Sequence, residues 1–222
     1  MREKALMAWS SGKDSALALH EVLAAGEPQI VGLLTTVTEG YERVSMHGVR
    51  LAMVEEQSRS IGIPLVKVMI PQQCSEESYE TIMRGVLTRQ FDAGVRAVVF
   101  GDLFLQWIRE YREKQMRKVS MTPVFPLWER DTRETARRII GLGFHAIVTC
   151  VDTQLLDGKF AGRAFDAQFL TDLPEGVDPC GENGEFHTFV HDGPIFRKPV
   201  SCVTGETVLR DGRFNFCDVL SA

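Results

Sequence analysis

The chain has 222 residues, 44% of them hydrophobic and 25% charged, with a formal charge of −5. The composition suits a globular protein with a real core, and the length suits one large domain or a main domain with a smaller companion, at roughly 100–200 residues per domain. The acidic balance argues against a broad basic surface for nucleic acid, and no stretch nears the roughly 20 apolar residues that cross a bilayer.

The first two-thirds of the chain alternate short apolar runs with longer amphipathic stretches. The pattern predicts a strand at Lys4–Trp9 and a helix at Ser15–Ala25 that buries Ala16, Leu19, Val22 and Leu23. A β-branched strand follows at Ile30–Val37, then a helix at His47–Ile61 with Val49, Ala52, Met53 and Gln57 at helical spacing. Pro64–Ile70 is a third strand, Glu76–Ala93 a long helix and Arg96–Phe100 a fourth strand ending at Gly101-Asp102. Trp107–Lys118 is a charged helix expected to be largely solvated. Pro123–Leu127 is extended, Asp131–Leu142 is helical with Asp131 as N-cap, and Phe144–Val151 is a further strand. Beyond Val151 glycine, proline and aspartate become frequent and the segments shorten. There Val200–Arg210 and Arg213–Val219 flank Asp211-Gly212, a dipeptide favoured in tight hairpins.

Strands alternating with helices imply a Rossmann-like, mostly parallel sheet covered on both faces. The division expected is residues 1–128 as an α/β domain and 129–222 as a smaller α+β domain. In such sheets ligands bind beyond the carboxyl ends of the strands, which directs attention to Ser10–Ser15, Thr36–Thr38 and Gly101-Asp102.

Ser10-Ser11-Gly12-Lys13-Asp14-Ser15 follows the first strand and opens the first helix. Small residues let an anion approach the backbone, and the helix start offers unpaired N–H groups and a partial positive charge. Ser10 and Ser15 add hydroxyls, Lys13 a full charge, and Asp14 can orient the loop or hold magnesium. The bland alternative is a serine-rich turn that only caps a helix. The loop is not a Walker A motif, which needs GxxxxGK[ST]. It resembles the SGGxDS signature of the PP-loop, or N-type, ATP pyrophosphatases, with Ser11 where glycine is commoner. That resemblance implies ATP held by its pyrophosphate end, with the α-phosphorus open to attack.

The second unusual segment is Cys180-Gly181-Glu182-Asn183-Gly184-Glu185-Phe186-His187-Thr188. Two carboxylates three apart could bind magnesium, hold an amine or move protons; taken alone, a solvated acidic turn is the plainer reading. With the first loop, and with Gly101-Asp102 and Pro126-Leu127-Trp128, it resembles the diphthine–ammonia ligase family from Leu6 to about Val190. The family's C-terminal motif is of the EGGEFE type; here Asn183 replaces a glycine and His187 an acidic residue, as in a divergent branch. The resemblance implies an adenine nucleotide alpha hydrolase-like fold and ATP-dependent amidation of a carboxylate, with diphthine as one candidate acid.

On that reading the acid attacks the α-phosphorus of Mg–ATP, pyrophosphate leaves, and ammonia or an amine displaces AMP. Ser10, Ser11, Gly12, Lys13, Asp14 and Ser15 bind the nucleotide, and Asp14 is the candidate magnesium ligand. Asp14 and Asp102 place metal or nucleophile, while Glu182 and Glu185 receive the amine or substrate. Lesser candidates are the spaced pair His187 and His191, His47 near the nucleotide, and Cys180 as a nucleophile. Arg109, Arg112, Lys114, Arg117 and Lys118 could clamp an anion, although Glu110 and Glu113 interrupt them.

The expected partners are a small-molecule or protein carboxylate and ammonia or an amine, with no membrane and no nucleic acid; homo-oligomerisation is left open. The apolar run in MREKALMAWSSGKDS is too short for a signal-peptide core. Cys74, Cys150, Cys180, Cys202 and Cys217 are odd in number with no CxxC pair and read as reduced thiols in the cytoplasm. Two rivals stay open: a PP-loop tRNA-modifying enzyme, which would want a basic surface, and a non-catalytic ATP-binding module.

Overall fold

The computed structural model describes residues 2–45 and 47–222. Five strands run parallel: β1 (Lys4–Ala8), β2 (Gln29–Thr38), β4 (Leu65–Ile70), β5 (Val95–Val99) and β6 (Thr122–Val124). Their order is β4-β2-β1-β5-β6, and a two-residue strand, β3 (Arg43–Val44), pairs antiparallel with the end of β2. The chain steps outward from β1 to β4 and then returns to the other side of β1 as β5. The crevice between the carboxyl ends of β1 and β5 is therefore a topological switch point.

Alternation along β1 sends its side chains to two cores. Ala5 and Met7 join the core under α1 (Lys13–Ala25) and α2 (Leu51–Ile61), while Leu6 joins the one under α3 (Glu76–Asp92) and α4 (Gln106–Lys118). A second, antiparallel sheet, ordered β8-β7-β10-β9, comprises β7 (His145–Asp152), β8 (Phe186–Asp192), β9 (Cys202–Arg210) and β10 (Phe214–Ser221). Its core side chains Val148, Phe186, Phe189 and Val190 belong to the same apolar cluster as Met7, Leu17 and Leu19. The C-terminal sheet is thus fused to the α1/α2 face.

The Rossmann-like fold and the second small α+β unit match the sequence expectation, as do most element positions. Asp131 accepts from Glu134 N–H at 2.8 Å and caps α5 (Thr132–Gly141). Asp211 and Gly212 both have positive φ, 52° and 63°, as the hairpin between β9 and β10 requires. The helix predicted from His47 instead begins at Leu51. Residues 47–50 turn back along β3: Val44 N–H donates to Val49 O and Leu51 N–H to Glu42 O, both at 2.8 Å. Gly48 completes that turn at φ +67° with its backbone against the Phe216 ring. Helical spacing could not register these long-range bonds.

Among the described residues all five cysteines are free, and no helix is long and apolar enough to cross a membrane.

Candidate active site

The carboxyl ends of β1, β2 and β5 open into a cavity of about 560 Å³. Ser10, Lys13, Asp14, Ser15, Gly101, Asp102 and Glu182 all line it, so residues up to 172 positions apart meet there (from Ser10 to Glu182). That volume lies within the range of roughly 300–1,000 Å³ usual for ligand pockets.

The loop after β1 is held from below by the second sheet. Ser11 O accepts from Val190 N–H at 3.0 Å and from Gln57 Nε2 at 3.1 Å. Gln57, fully buried, also donates to Val190 O at 2.6 Å and accepts from Trp9 Nε1 at 2.9 Å. Lys13 N–H donates to Thr188 Oγ1 at 3.1 Å, which leaves the following helix-start N–H groups for an anion. Ser11 adopts φ +72°, the left-handed geometry for which glycine is commoner. The angle the motif needs is kept although the glycine is not.

Lys13 lies elsewhere than a free phosphate-seeking charge would. It is 1% exposed; its ammonium donates to Asp14 Oδ2 at 2.9 Å and to the Cys180 carbonyl, and sits 5.1 Å from the Phe186 ring centroid. Burial works against that charge, but the Asp14 carboxylate and neighbouring acids outweigh it and leave the ammonium pKa raised. Lys13 therefore ties the phosphate loop to the Cys180–Glu182 turn, with its charge engaged by Asp14 and the Cys180 carbonyl at the cavity wall.

Four carboxylates line the cavity: Glu80 on α3 is held by Gln115 and Lys118, and the other three surround the phosphate loop. Asp14 keeps about a quarter of its side chain accessible, and its Oδ1 is buried without a hydrogen-bond partner. Burial raises its pKa against the pull of Lys13. Asp102 follows Gly101, which lets β5 approach the start of α1: a Cβ there would stand 2.9 Å from the Asp14 carbonyl carbon. Asp102 Oδ2 and Arg112 Nε form an ion pair at 3.5 Å without a hydrogen bond, and burial raises the Asp102 pKa against the pull of that guanidinium. Glu182 accepts from Leu103 N–H at 2.8 Å, and Asp178 fixes its backbone by accepting from Glu182 N–H at 2.8 Å. Burial first, then the field of Asp14 and Asp102, pushes Glu182 up to about 7.

Glu185 does not join them. It is 4% exposed, does not line the cavity, and accepts from Asp178 N–H at 3.0 Å and Asn183 Nδ2 at 3.1 Å. Of the two glutamates expected to receive the amine, Glu182 lines the cavity and Glu185 lies behind it. The tight turn aims Glu182 outward and folds Glu185 back to brace the loop.

His187 and His191 do share a face of β8 but do not meet as ligands. His187 packs on His47 with ring centroids 4.5 Å apart, whereas His191 lies 6.1 Å from His145. Both His47 and His187 line the cavity, and burial keeps them neutral, His187 with a pKa lowered to about 4. The Cys180 thiol donates to Thr132 O at 3.2 Å, and burial pushes its pKa up, which favours the neutral thiol. Arg109 is clasped by Glu113 at 3.0 Å and by the Phe125 and Trp128 rings, which gives the Pro126-Leu127-Trp128 segment a packing role. Arg112 turns into the cavity, so α4 is not simply a solvated helix. Sequence reasoning passed over Asp178, Thr188 and the bridging role of Gln57. The last had a signal, a polar residue on the apolar face of α2.

A Rossmann-like sheet with an anion-ready loop at its switch point, closed by a second sheet that brings an acidic turn to the same cavity, defines a nucleotide-using α/β enzyme. Residues 2–123 match the diphthamide synthase N-terminal domain and residues 131–219 the diphthamide synthase C-terminal domain. The chain belongs to that family. It is 25% identical to the human diphthine–ammonia ligase over 94% of this chain and 85% of the human protein. It is 26% identical to the Danio rerio diphthine–ammonia ligase over 90% of this chain and 86% of that protein. Family membership makes the chain an ATP-dependent amidating ligase.

Proposed function

We propose that this cavity joins a carboxylic acid to ammonia at the expense of ATP, as the printed name of its relatives describes for diphthine, with diphthine as the first acid to test. The observation that carries the reading is the Lys13 tie, which fixes the phosphate loop and the Glu182 turn as two walls of one cavity. Ser10 and Ser15 hydroxyls, 3.2 Å apart, and the α1 N–H groups that follow Lys13 receive the β- and γ-phosphates. Thr36, Ser45, His47 and His187 line the side near β2 and β3, where the nucleoside fits.

Magnesium suits two of the carboxylates. Asp14 Oδ1 and Asp102 Oδ2 are buried oxygens with no hydrogen-bond partner, and the ion is usually held by one or two carboxylates plus phosphates and water. Among the described residues no group of three or more His, Cys, Asp or Glu could hold a metal, so the nucleotide would complete its shell. The ion would neutralise phosphate charge. The protein positions the acid against the α-phosphorus and keeps the site dry.

The acid's oxygen forms a bond to the α-phosphorus as pyrophosphate leaves. Ammonia then attacks the acyl carbon and AMP departs. Ammonium enters as a cation among Asp14, Asp102 and Glu182, and must lose a proton before its lone pair is free. Glu182, whose pKa of about 7 matches working pH, takes that proton. The division into a nucleotide unit, 1–128, and a substrate unit, 129–222, a cytoplasmic setting and any homo-oligomer belong to this same reading.

The test separates the two half-reactions. With a diphthine-bearing protein, Glu182→Gln keeps pyrophosphate–ATP exchange and loses amide formation by about 10²-fold, the scale of a lost acid–base group. Wild-type amide formation shows a titration near pH 7 as the carboxylate appears, and the variant lacks that step, its residual rate following only the free ammonia. A variant that amidates at the wild-type rate overturns the assignment.

A further inference from the structure

The cavity has a second arm that the nucleotide does not explain. It runs from Asp102 between α3 and α4, over Leu34, Val98 and Phe100 on the sheet, with Met83 and Leu87 from α3 and Met116 from α4 among its walls. These walls are mainly apolar, with Tyr79 and Tyr111 beside them; the Glu80 carboxylate and Gln115 also line this part but are bonded to each other, and Glu80 to Lys118 as well. Where the arm meets the carboxylates stands Arg112. Its guanidinium lies 5.0 Å from the Phe100 ring centroid, and its Nε is buried with no hydrogen-bond partner, 3.5 Å from Asp102 Oδ2.

An anionic acid entering a cavity lined by Asp14, Asp102 and Glu182 is repelled unless a cation receives it. Three basic side chains line the cavity. Lys13 is engaged by Asp14 and the Cys180 carbonyl, and Arg84 is exposed at the rim. Arg112 alone among them combines a partly buried guanidinium that makes no hydrogen bond with a place beside the reacting end, its Nε facing Asp102 at 3.5 Å. The planar guanidinium can pair with a carboxylate through two parallel N–H···O bonds, and so fixes direction as well as charge.

We propose that Arg112 binds the carboxylate of the acid substrate and aims it at the α-phosphorus, while the arm between α3 and α4 takes the apolar body of that acid. This rests on the ATP reading above and adds the substrate's chemical class, an acid with an aliphatic or aromatic body. Asp102 holds the guanidinium in place from the side away from the acid.

The probe is 4-phenylbutyrate, compared with its neutral amide by ligand-observed NMR titration. Wild type binds the acid at least about tenfold tighter than the amide, the scale of a hydrogen bond to a charged group. Arg112→Gln erases that difference with unfolding temperature unchanged, Arg112→Lys keeps part of it, and Lys114→Gln, exposed on the same helix, keeps all of it. α,β-Methylene-ATP leaves acid binding intact, because nucleotide and acid occupy different arms. Equal affinity for acid and amide, an Arg112→Gln variant that still discriminates, or displacement of the acid by the nucleotide analogue each overturns the proposal. Failure of wild type to bind the nucleotide analogue sinks the ATP reading instead, and leaves the acid–amide comparison standing on its own.

Discussion

Gly101 carries the closest approach between strand and helix in the site, and adding one methyl group there measures how tightly the phosphate loop is held. The new Cβ of Gly101→Ala would stand 2.9 Å from the Asp14 carbonyl carbon and 3.0 Å from both its oxygen and the Ser15 nitrogen. All three are backbone atoms, so no side chain can swing aside; β5 and the start of α1 must part. Overpacking of this kind costs about 1–3 kcal/mol, and for a chain of this size each kcal/mol lowers the unfolding temperature by roughly 2–4 °C. The expected fall is thus roughly 2–12 °C. Because the parts that move carry Asp14 and the Ser15 N–H, ATP affinity falls with it, by about tenfold for each 1.4 kcal/mol lost from binding. Gly85→Ala is the control. It lies inside α3 with Arg89 Nη1 at 3.9 Å as its nearest neighbour, and should gain about 0.5–1 kcal/mol from helix propensity. Thermal unfolding and calorimetric ATP titration read both variants. Gly101→Ala with wild-type unfolding temperature and wild-type ATP affinity would refute the argument that this contact sets the loop.

Ser11→Gly should stabilise the protein by about 0.5–1 kcal/mol, the left-handed penalty less the added chain entropy, since Ser11 sits at φ +72° with its hydroxyl buried and unpaired. A lower unfolding temperature would mean the hydroxyl has a partner in solution. Glu185→Ala strips the acceptor from Asp178 N–H and should cost about 1–3 kcal/mol, whereas Glu185→Gln keeps an acceptor and should amidate nearly as wild type. A well-folded Gln variant that binds ATP but makes no amide would return Glu185 to the chemistry. His187, held near 4 when folded, binds its proton more readily in the unfolded chain, near 6.5. Its contribution to stability is therefore complete above about pH 6.5 and lost as pH falls towards 4. His187→Asn should flatten that limb of a pH series of denaturant melts, and an unchanged limb would assign it to other groups, of which His47 is the first to examine.

Much of the molecule is legible in the chain alone, for a local reason. Apolar periodicity and turn chemistry place nearly every strand and helix. Ser10–Ser15 reads as an anion loop because its small residues, its hydroxyls and the following helix are contiguous. The switch-point rule then brings Gly101-Asp102 beside it without any coordinates. What lies outside local reach is anything set by where distant segments land. The chain cannot say that Lys13 turns under the loop to the Cys180 carbonyl, since that depends on β8 crossing beneath α1. Nor can it say that Glu182 faces the cavity while Glu185, three residues on, folds inward, because backbone direction in a tight turn is fixed by partners such as Asp178 and Leu103. The same holds for Arg112, one basic residue among several on a charged helix. Only the packing of α4 against Phe100 turns its guanidinium towards the carboxylates.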